Sequence, residues 1–344
     1  GFGTWYAHHI YSWIVKSVGR LTGLLPFSVV EMGLYGLLCL LFLDVVRLSV
    51  AAIRAEHAKI LTVTGRRWLL IVSALLFLYT VNCGINYYAS SFSSYAGLED
   101  GTYTVEELEA LCSDLVELVN ESAKTGRQSY REHRSAWRVE AVTAMQAAGE
   151  QFSCLAGFYP KPKEVLVSRI LSVQQLCGVY SPFTVEANYN GDMPDYNVPH
   201  TLCHELSHLK GFMREDEANF IAFLACVESD DNTFQYAGYL SVLNYVANDL
   251  HKTRLADPDS YAAAREAVHP LQVLQQVQED NIFVTEEQWE RINGKAVVNT
   301  ETVDSVSDTL TNASLKLNGV SDGMISYNRV VELLLQWYGE KEEF

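Results

Sequence analysis

The stretch HTLCHELSHLKGFMREDEANF, residues 200–220, concentrates the side chains best suited to metal chemistry in this sequence. His204 and His208 are four positions apart, so both imidazoles lie on one face of a helix, one turn from each other. Both rings can then bind one zinc ion, and the intervening Glu205 can act as a general base toward water at the metal. The spacing therefore predicts a hydrolytic centre with one zinc ion.

A catalytic zinc needs a third protein ligand, and three carboxylates follow in the chain: Glu215, Asp216 and Glu217. Gly211 predicts a short turn, so a second helix should begin beside the end of the first. Glu215 shares a helical face with small residues that allow close approach, whereas Glu217 shares its face with bulky ones. We therefore expect Glu215 as the ligand, with Glu217 as the alternative, and Asn219 as a hydrogen-bond partner of one histidine.

The motif requires a helix, and its boundaries can be read from the sequence. Asn197 is a candidate N-cap, Pro199 suits a first turn, and Gly211 is a stop signal. His200 lies one turn before His204, but three successive turns cannot converge on one ion. We therefore interpret His200 as a residue of the helix start.

Two long apolar stretches precede this region, and they determine its position relative to a membrane. Residues 27–46 carry only Glu31 and Asp44, near their two ends, and residues 69–81 with their neighbours give about 20 residues without a charge. Both are predicted to be transmembrane helices. Buried core helices are the alternative, although such helices rarely stay this apolar over this length.

The loop between the two apolar stretches, residues 47–67, carries five Lys or Arg residues against one Glu. Short basic loops stay in the cytoplasm, so everything after residue 88 should be extracytoplasmic in a multi-pass protein of the cell membrane. Residues 1–25 are rich in Trp and Tyr and are predicted to form an amphipathic segment at the membrane interface. The lipid bilayer is thus the first expected partner.

The distribution of charge separates the apolar N-terminal part from the rest of the chain, as hydropathy does. The first 89 residues contain seven basic and three acidic residues, and subtracting these from the totals of 25 and 42 leaves 18 basic and 39 acidic residues beyond them. An acidic body repels phosphate backbones, so we expect no nucleic acid as a partner. Five cysteines fall in this body, and a disulfide between Cys154 and Cys177 is one open possibility.

The acidic body, residues 90–344, is predicted to be mostly helical. Residues 89–102 are rich in Ser and Gly and predict a linker, which leaves a domain of residues 103–344. Thr104 and Glu107 have the spacing of a capping box for the first helix. Four leucines at helical spacing follow: Leu108, Leu111, Leu115 and Leu118.

Further helices are predicted over residues 134–155 and 164–176, interrupted by Pro160 and Pro162. Residues 178–190 are the clearest strand candidate, and the last hundred residues again favour helices. The expected fold is therefore mainly α with a small β-sheet, attached to N-terminal transmembrane helices.

The combination of HELSH with EDEAN resembles the gluzincin group of zinc metallopeptidases. In that group the first Glu of an ExxAN motif completes the metal site, which implies a zincin-like α+β domain with His204, His208 and Glu215 as ligands. The wider pattern of PFS, YSPFTVEAN and SYNRVVELLL after two apolar spans resembles an uncharacterised family of bacterial membrane proteins assigned to that group. One departure is the short distance from His208 to Glu215, which is closer to the spacing of metzincins, where Arg214 would replace a histidine.

The resemblance implies a peptidase that hydrolyses peptide bonds of a peptide or protein substrate, with Glu205 as the general base. Tyr327 and Arg329, in the SYNRVV segment, are the candidate donors to the developing oxyanion, and the strand before the motif is expected to pair with an extended peptide. An intramembrane protease is disfavoured, because the motif lies more than a hundred residues past the last apolar span. The alternative function is a zinc-binding sensor or scaffold that does not cut. The sequence leaves the oligomeric state open.

Overall fold

The fold is mainly helical with one small sheet, which confirms the predicted fold class. The computed structural model describes residues 1–53, 57–98, 101–127, 130–282, 290 and 329–342. Two long apolar helices lie near the N-terminus, and the rest of the described chain forms a helical body around a three-stranded sheet.

The chain begins with a helical segment, α1, which runs from residue 2 to residue 23 through alternating α- and π-helical turns. Tyr6 and Tyr11 are buried on one side, whereas Trp5 and Trp13 are 50% and 67% exposed. The segment predicted to lie at the membrane interface is thus also packed on the body of the protein. Polar contacts contribute as well as apolar ones: the Tyr11 hydroxyl donates to the Tyr180 hydroxyl of the body, and the Tyr6 hydroxyl donates to the Val81 carbonyl oxygen of the second apolar helix.

Two helices are long and apolar enough to cross a membrane, α2 (Val29–Ile53) and the longer stretch that contains α3 (His57–Asn82). They pack against each other, and Asp44 forms an ion pair with Arg67 across the pair. Only 11% of the most apolar window of each is buried. Helices of a protein core are mostly buried, so this exposure favours the transmembrane prediction over the core alternative.

The predicted linker, residues 89–102, is packed into the fold where the structure describes it. After a 3₁₀ turn, Gly84–Tyr88, it forms the short helix α4, Phe92–Ala96. Phe92 is fully buried and its ring contacts Phe152 and Phe212 edge-on, at 5.1 and 5.6 Å between centroids. Part of the predicted linker is therefore helical and packed, because one aromatic residue among the Ser and Gly residues joins the core.

The first helix of the body, α5, spans Val105–Gly126 and begins with the predicted capping box of Thr104 and Glu107. Leu108, Leu111 and Leu115 are buried on its inner face. The next helix, α6, spans Tyr130–Gln151, so it starts and ends earlier than the predicted 134–155. A 3₁₀ turn, Ser153–Leu155, takes up the remainder of that range.

The sheet consists of β1 (Lys163–Glu164), β2 (Gly178–Ser181) and β3 (Glu186–Tyr189) in the order β1-β3-β2. β3 is parallel to β1 and antiparallel to β2. The single strand predicted over 178–190 is therefore a hairpin, since the chain turns at Ser181, whose carbonyl accepts from the Val185 amide at 2.8 Å. β2 is an edge strand of this sheet.

The short helix before this hairpin, α7, spans Arg169–Val173 and is shorter than the predicted 164–176 because β1 takes its start. The metal motif lies on α8 (Val198–His208), and α9 (Glu215–Val227) and α10 (Asn232–Ala256) follow it. These three helices pack against one another, and α8 also packs on β2 and β3.

Three more helices follow among the residues that the structure describes: α11 (Pro258–Val268), α12 (Gln275–Asp280) and α13 (Arg329–Glu342). They confirm the predicted helical character of the C-terminal region where it is described. Cys154 and Cys177 are both free thiols, so the disulfide considered for them is not formed.

Candidate metal centre

The two helices of the centre are joined as the sequence predicts. Pro199 is in the first turn of α8, and Asn197 precedes that turn, but its side chain donates to the Ile282 carbonyl at 2.8 Å instead of capping the helix. Gly211 has a φ of 98°, a left-handed conformation that glycine adopts without strain, and it reverses the chain. Glu215, the first residue of α9, is thereby brought back beside α8.

His204, His208 and Glu215 form one cluster that could hold a metal ion. The Nε2 atoms of the two histidines are 3.2 Å apart, and the Glu215 carboxylate lies 3.1 Å from Nε2 of His204 and 3.7 Å from Nε2 of His208. All the ligand atoms lie within 4.8 Å of one another. Two imidazoles and one carboxylate are a donor set typical of catalytic zinc.

Both imidazoles are held by their other ring nitrogen. Nδ1 of His204 lies 2.8 Å from Oδ1 of Asn219, and Nδ1 of His208 lies 2.7 Å from the Phe212 carbonyl oxygen. Because both partners are acceptors, each Nδ1 carries a proton, so that in the neutral form of each ring the lone pair of Nε2 faces the centre. The partner role predicted for Asn219 thus agrees with its position in the fold.

Replacing Asn219 by alanine is expected to weaken zinc binding by about 10- to 100-fold, because the His204 ring loses the acceptor that orients it. The measurement is a competitive titration of zinc with a chromophoric chelator. Asn219→Asp is the matched control, since it keeps an acceptor at the same distance and should retain the affinity. Equal affinities for the alanine variant and the wild type would contradict this role.

The structure separates the two candidates for the third ligand. Glu217 points away from the histidines, and its Oε1 accepts a hydrogen bond from the Phe92 amide at 3.1 Å. Glu215 alone of the two lies with His204 and His208. The bulky face that Glu217 shares with Phe220 and Ile221 is buried in the core, as the sequence argument assumed.

Glu205 lies next to the cluster and is only 4% exposed. Its carboxylate accepts a hydrogen bond from the Tyr180 backbone amide, while Oε2 is buried without a hydrogen-bond partner among the described residues. Gly178 passes so close that a Cβ atom there would lie 2.5 Å from Oε1 of Glu205. β2 therefore lies so close to this carboxylate that a larger residue at position 178 would displace it.

The electrostatics of the cluster favour a positive charge between its members. Burial lowers the pKa of His204, but the adjacent Glu215 carboxylate outweighs burial and raises that pKa to about 9. Burial, with a contribution from Glu215, raises the pKa of Glu205 to about 8. A cation among the ligands would stabilise both carboxylates in their ionised form.

His200 is not part of the cluster. Its Nε2 lies 3.3 Å from the Asn219 carbonyl oxygen, and burial lowers its pKa to about 3. It is therefore a neutral residue that joins α8 to α9, consistent with its interpretation as a helix-start residue.

The cluster lies on one wall of a cleft of about 770 Å³. β2 contributes Gly178, Val179 and Tyr180 to the lining, α10 contributes Tyr245, and Tyr87 follows α3. The cleft is large enough for several residues of an extended peptide, and its polar groups converge on the three ligands.

The two oxyanion candidates predicted from SYNRVV are not placed in this cleft. Tyr327 lies outside the described residues. Arg329 begins α13, where it is exposed, and its charge acts on Asp216 and Glu217, on the other side of the α9 start from the cluster. Arg329 is not among the described residues that line the cleft.

Sequence reasoning missed Tyr245, which lines the cleft near Glu215. Burial and the negative charge of Glu215 raise its pKa, so its hydroxyl stays protonated and can donate a hydrogen bond. A signal was present in the sequence: Ser241, Asn244 and Asn248 lie with Tyr245 on one polar stripe of α10.

Fold and site together define a helical protein with two helices able to span a membrane and a His-His-Glu group able to hold a metal ion. The chain belongs to the family described as a protein of unknown function, DUF3810, which it matches over residues 6–335. No curated protein and no solved structure matches the chain significantly.

Proposed function

We propose that this protein is a membrane-anchored zinc metallopeptidase. The observation that carries the proposal is the arrangement of three convergent ligands with one buried carboxylate beside them. His204, His208 and Glu215 would hold one zinc ion, and Glu205 lies next to the cluster with one oxygen unpartnered. Zinc in such a site supplies Lewis acidity that polarises a carbonyl group and activates water.

Glu205 moves the proton in this proposal. As a carboxylate it accepts a proton from the attacking water and then delivers it to the nitrogen of the leaving amine. Its hydrogen bond from the Tyr180 amide fixes one oxygen and leaves Oε2 for the proton. A buried, unpartnered carboxylate costs stability, so its presence favours a catalytic protein over a zinc sensor that does not cut.

Among the polar residues that line the cleft, we select Tyr245 as the donor to a developing oxyanion. Its protonated hydroxyl lines the same cleft as the ligands. A donor of this kind stabilises charge that appears only in the transition state. Arg329 is set aside for this role because of its position at the start of α13, and the role of Tyr327 stays a prediction.

The edge of β2 is the proposed binding site for the peptide backbone. Gly178 and Val179 line the cleft, and β2 has a sheet partner on one side only. An extended peptide can add to such an edge by main-chain hydrogen bonds, which require no particular side chains. The proposed substrate class is therefore an extended peptide segment.

The proposed topology places the cleft outside the cytoplasm. The basic stretch of residues 47–67, predicted as a loop, lies mostly in the end of α2 and the start of α3, and it would be cytoplasmic. The ends of the two helices that face the body would be extracytoplasmic. A reporter enzyme fused after residue 344 and active only in the cytoplasm would overturn this orientation.

The test of the function uses the full chain, because α1 and α4 pack on the body. The purified protein in detergent is assayed for bound zinc and for cleavage of a broad peptide library by mass spectrometry. The expected result is one zinc ion per chain and cleavage that stops when a chelator removes the metal. Zinc without any cleavage would favour the sensor, and absence of zinc would overturn both functions.

Gly178→Ala is expected to lower peptide cleavage at least tenfold while zinc stays bound. The added methyl group would overlap the Glu205 carboxylate, which must then shift from its place beside the ligands. Cleavage rate and zinc content are measured on the same preparation. Gly339→Ala is the matched control, since a Cβ at Gly339 meets nothing within 4 Å. Full activity of the Gly178 variant would show that this contact does not position Glu205.

A further inference from the structure

We infer that the cleft opens at the surface of the membrane, so that its substrates are polypeptides anchored in the same bilayer and cut close to where they leave it. The inference rests on the proposed peptidase function and names its substrate class.

The end of the second apolar helix forms part of the cleft itself. Cys83 and Tyr87 follow α3 directly, and both line the cleft together with the metal ligands. The backbone oxygen of Asn82, the last residue of α3, accepts a hydrogen bond from the Tyr180 hydroxyl at 2.8 Å. The ring of Tyr180 lies 6.1 Å from that of His208, so one side chain connects the apolar helix to a metal ligand.

The start of the first apolar helix is fixed to the sheet. The amides of Val29 and Val30 donate to the buried Glu186 carboxylate, which also pairs with buried Lys163 at 2.5 Å.

A second contact joins the same helix start to the residues after β1. The Glu31 carboxylate accepts hydrogen bonds from the backbone amides of Leu166 at 2.8 Å and Val167 at 2.9 Å. The start of α2 and the sheet are therefore held together by buried charged groups, and separating them would remove part of the hydrogen bonds that satisfy these charges.

The length of the apolar helices places the bilayer surface beside the cleft. A helix needs about 20 residues to cross the hydrocarbon layer. The ion pair of Asp44 and Arg67 marks the inner charged level of the pair, beyond which α2 continues to Ile53 and α3 begins at His57. Counting about 20 residues from Arg67 reaches Tyr87 in the cleft wall, and counting back from Asp44 passes Glu31 and the start of α2 at Val29. The outer surface of the hydrocarbon layer therefore lies at the level of Tyr87.

Exposed apolar side chains lie near the ends of the apolar helices and on α1. Leu166 and Val167, whose amides bind Glu31, are 67% and 44% exposed, and Tyr88 is 66% exposed. Trp5 and Trp13 of α1 are exposed as well, and tryptophan is enriched at membrane interfaces. In water such side chains would form an unfavourable patch, whereas the bilayer covers them.

A substrate next to this cleft needs little free chain to reach it. An extended chain advances about 3.3 Å per residue, so about ten residues beyond a membrane anchor already span some 30 Å along the edge of β2. The separation of the motif from the last span is long in sequence but short in space. The sequence-based argument against an intramembrane protease therefore does not exclude cleavage at the surface of the bilayer.

The test uses the full chain reconstituted in liposomes with three substrates that share one randomised twenty-residue segment. In the first, the segment directly follows a single transmembrane helix. In the second, a thirty-residue polyproline spacer, about 90 Å long, separates the two. The third is the free peptide. The second is the matched control, because it has the same concentration in the membrane and differs only in its height above it.

Cleavage of the first substrate is expected to be at least tenfold faster than cleavage of the second, with cuts within about ten residues of the anchor. Equal rates for the first two, or fastest cleavage of the free peptide, would overturn the inference and leave the peptidase function intact. No cleavage of any of the three would overturn the peptidase function itself.

A second measurement does not depend on catalysis. A photo-crosslinking amino acid at Leu166 is expected to label lipid, whereas the same group at Leu255 should not. The two positions are 67% and 69% exposed, so neither substitution disturbs the core, and Leu255 lies on α10, whose main packing partners are α5 and α9. Absence of lipid adducts at Leu166, or equal labelling at both positions, would contradict the proposed depth of the body in the bilayer.

Discussion

Glu205→Gln is expected to lower the rate of peptide cleavage by roughly 10²- to 10⁴-fold, the usual contribution of a general base, without loss of zinc. Glutamine has nearly the same volume, so it fits beside Gly178, but its amide cannot take up a proton from water. The metal should remain because His204, His208 and Glu215 hold it without Glu205. Cleavage rate and zinc content per chain are the two measurements.

Two further variants make this result interpretable. Glu266→Gln removes the same charge at an exposed position and should keep full activity. Glu205→Asp keeps a carboxylate with a shorter reach, and partial activity is expected from it. If Glu205→Gln cleaves peptides like the wild type, Glu205 is not the base. If it loses zinc together with activity, the residue acts on the metal site instead of on the proton.

Glu215→Gln is expected to weaken zinc binding by more than about 100-fold, since even outer partners of metal ligands contribute 10- to 100-fold. The neutral amide lacks the negative charge that compensates the cation. In addition, either its NH2 group, a donor, or its oxygen, an acceptor, can occupy the position 3.1 Å from Nε2 of His204. Zinc retained after dialysis against a competing chelator, measured by elemental mass spectrometry, gives the result.

Glu217→Gln is the matched control for this variant, because it makes the same chemical change two positions away. Its side-chain oxygen can still accept the Phe92 amide. Burial raises the pKa of Glu217 to about 7, so the protein already tolerates a neutral group there near neutral pH. Zinc affinity should be unchanged. Loss of zinc from the Glu217 variant with retention in the Glu215 variant would reverse the assignment of the third ligand.

Tyr180 connects several parts of this site. Its backbone amide binds Glu205, and its hydroxyl donates to Asn82 and accepts from Tyr11 at 2.8 Å. The hydroxyl oxygen of Tyr11 also lies 3.2 Å from the His208 carbonyl oxygen. The apolar helices and the N-terminal helix thus contact the same strand that positions the proposed base. These contacts are the physical reason why activity is measured on the full chain.

The local features of this protein were predictable from sequence because they depend on spacing within one or two turns. The capping box at Thr104, the two apolar helices and the helix of the metal motif all follow from periodicity and end signals. The position of Glu215 beside the two histidines also followed, since a short turn at Gly211 leaves one face of α9 toward them, whereas its role as a ligand stays a prediction.

Tertiary structure alone decided the features that join distant parts of the chain. The burial of Phe92 beside Glu217, the contact of Gly178 with Glu205 and the place of Tyr245 in the cleft all involve residues far apart in sequence. No periodic pattern encodes such contacts, because they depend on how helices and strands pack. For the same reason, the large separation in sequence gave no sign that the end of the second apolar helix borders the candidate metal centre.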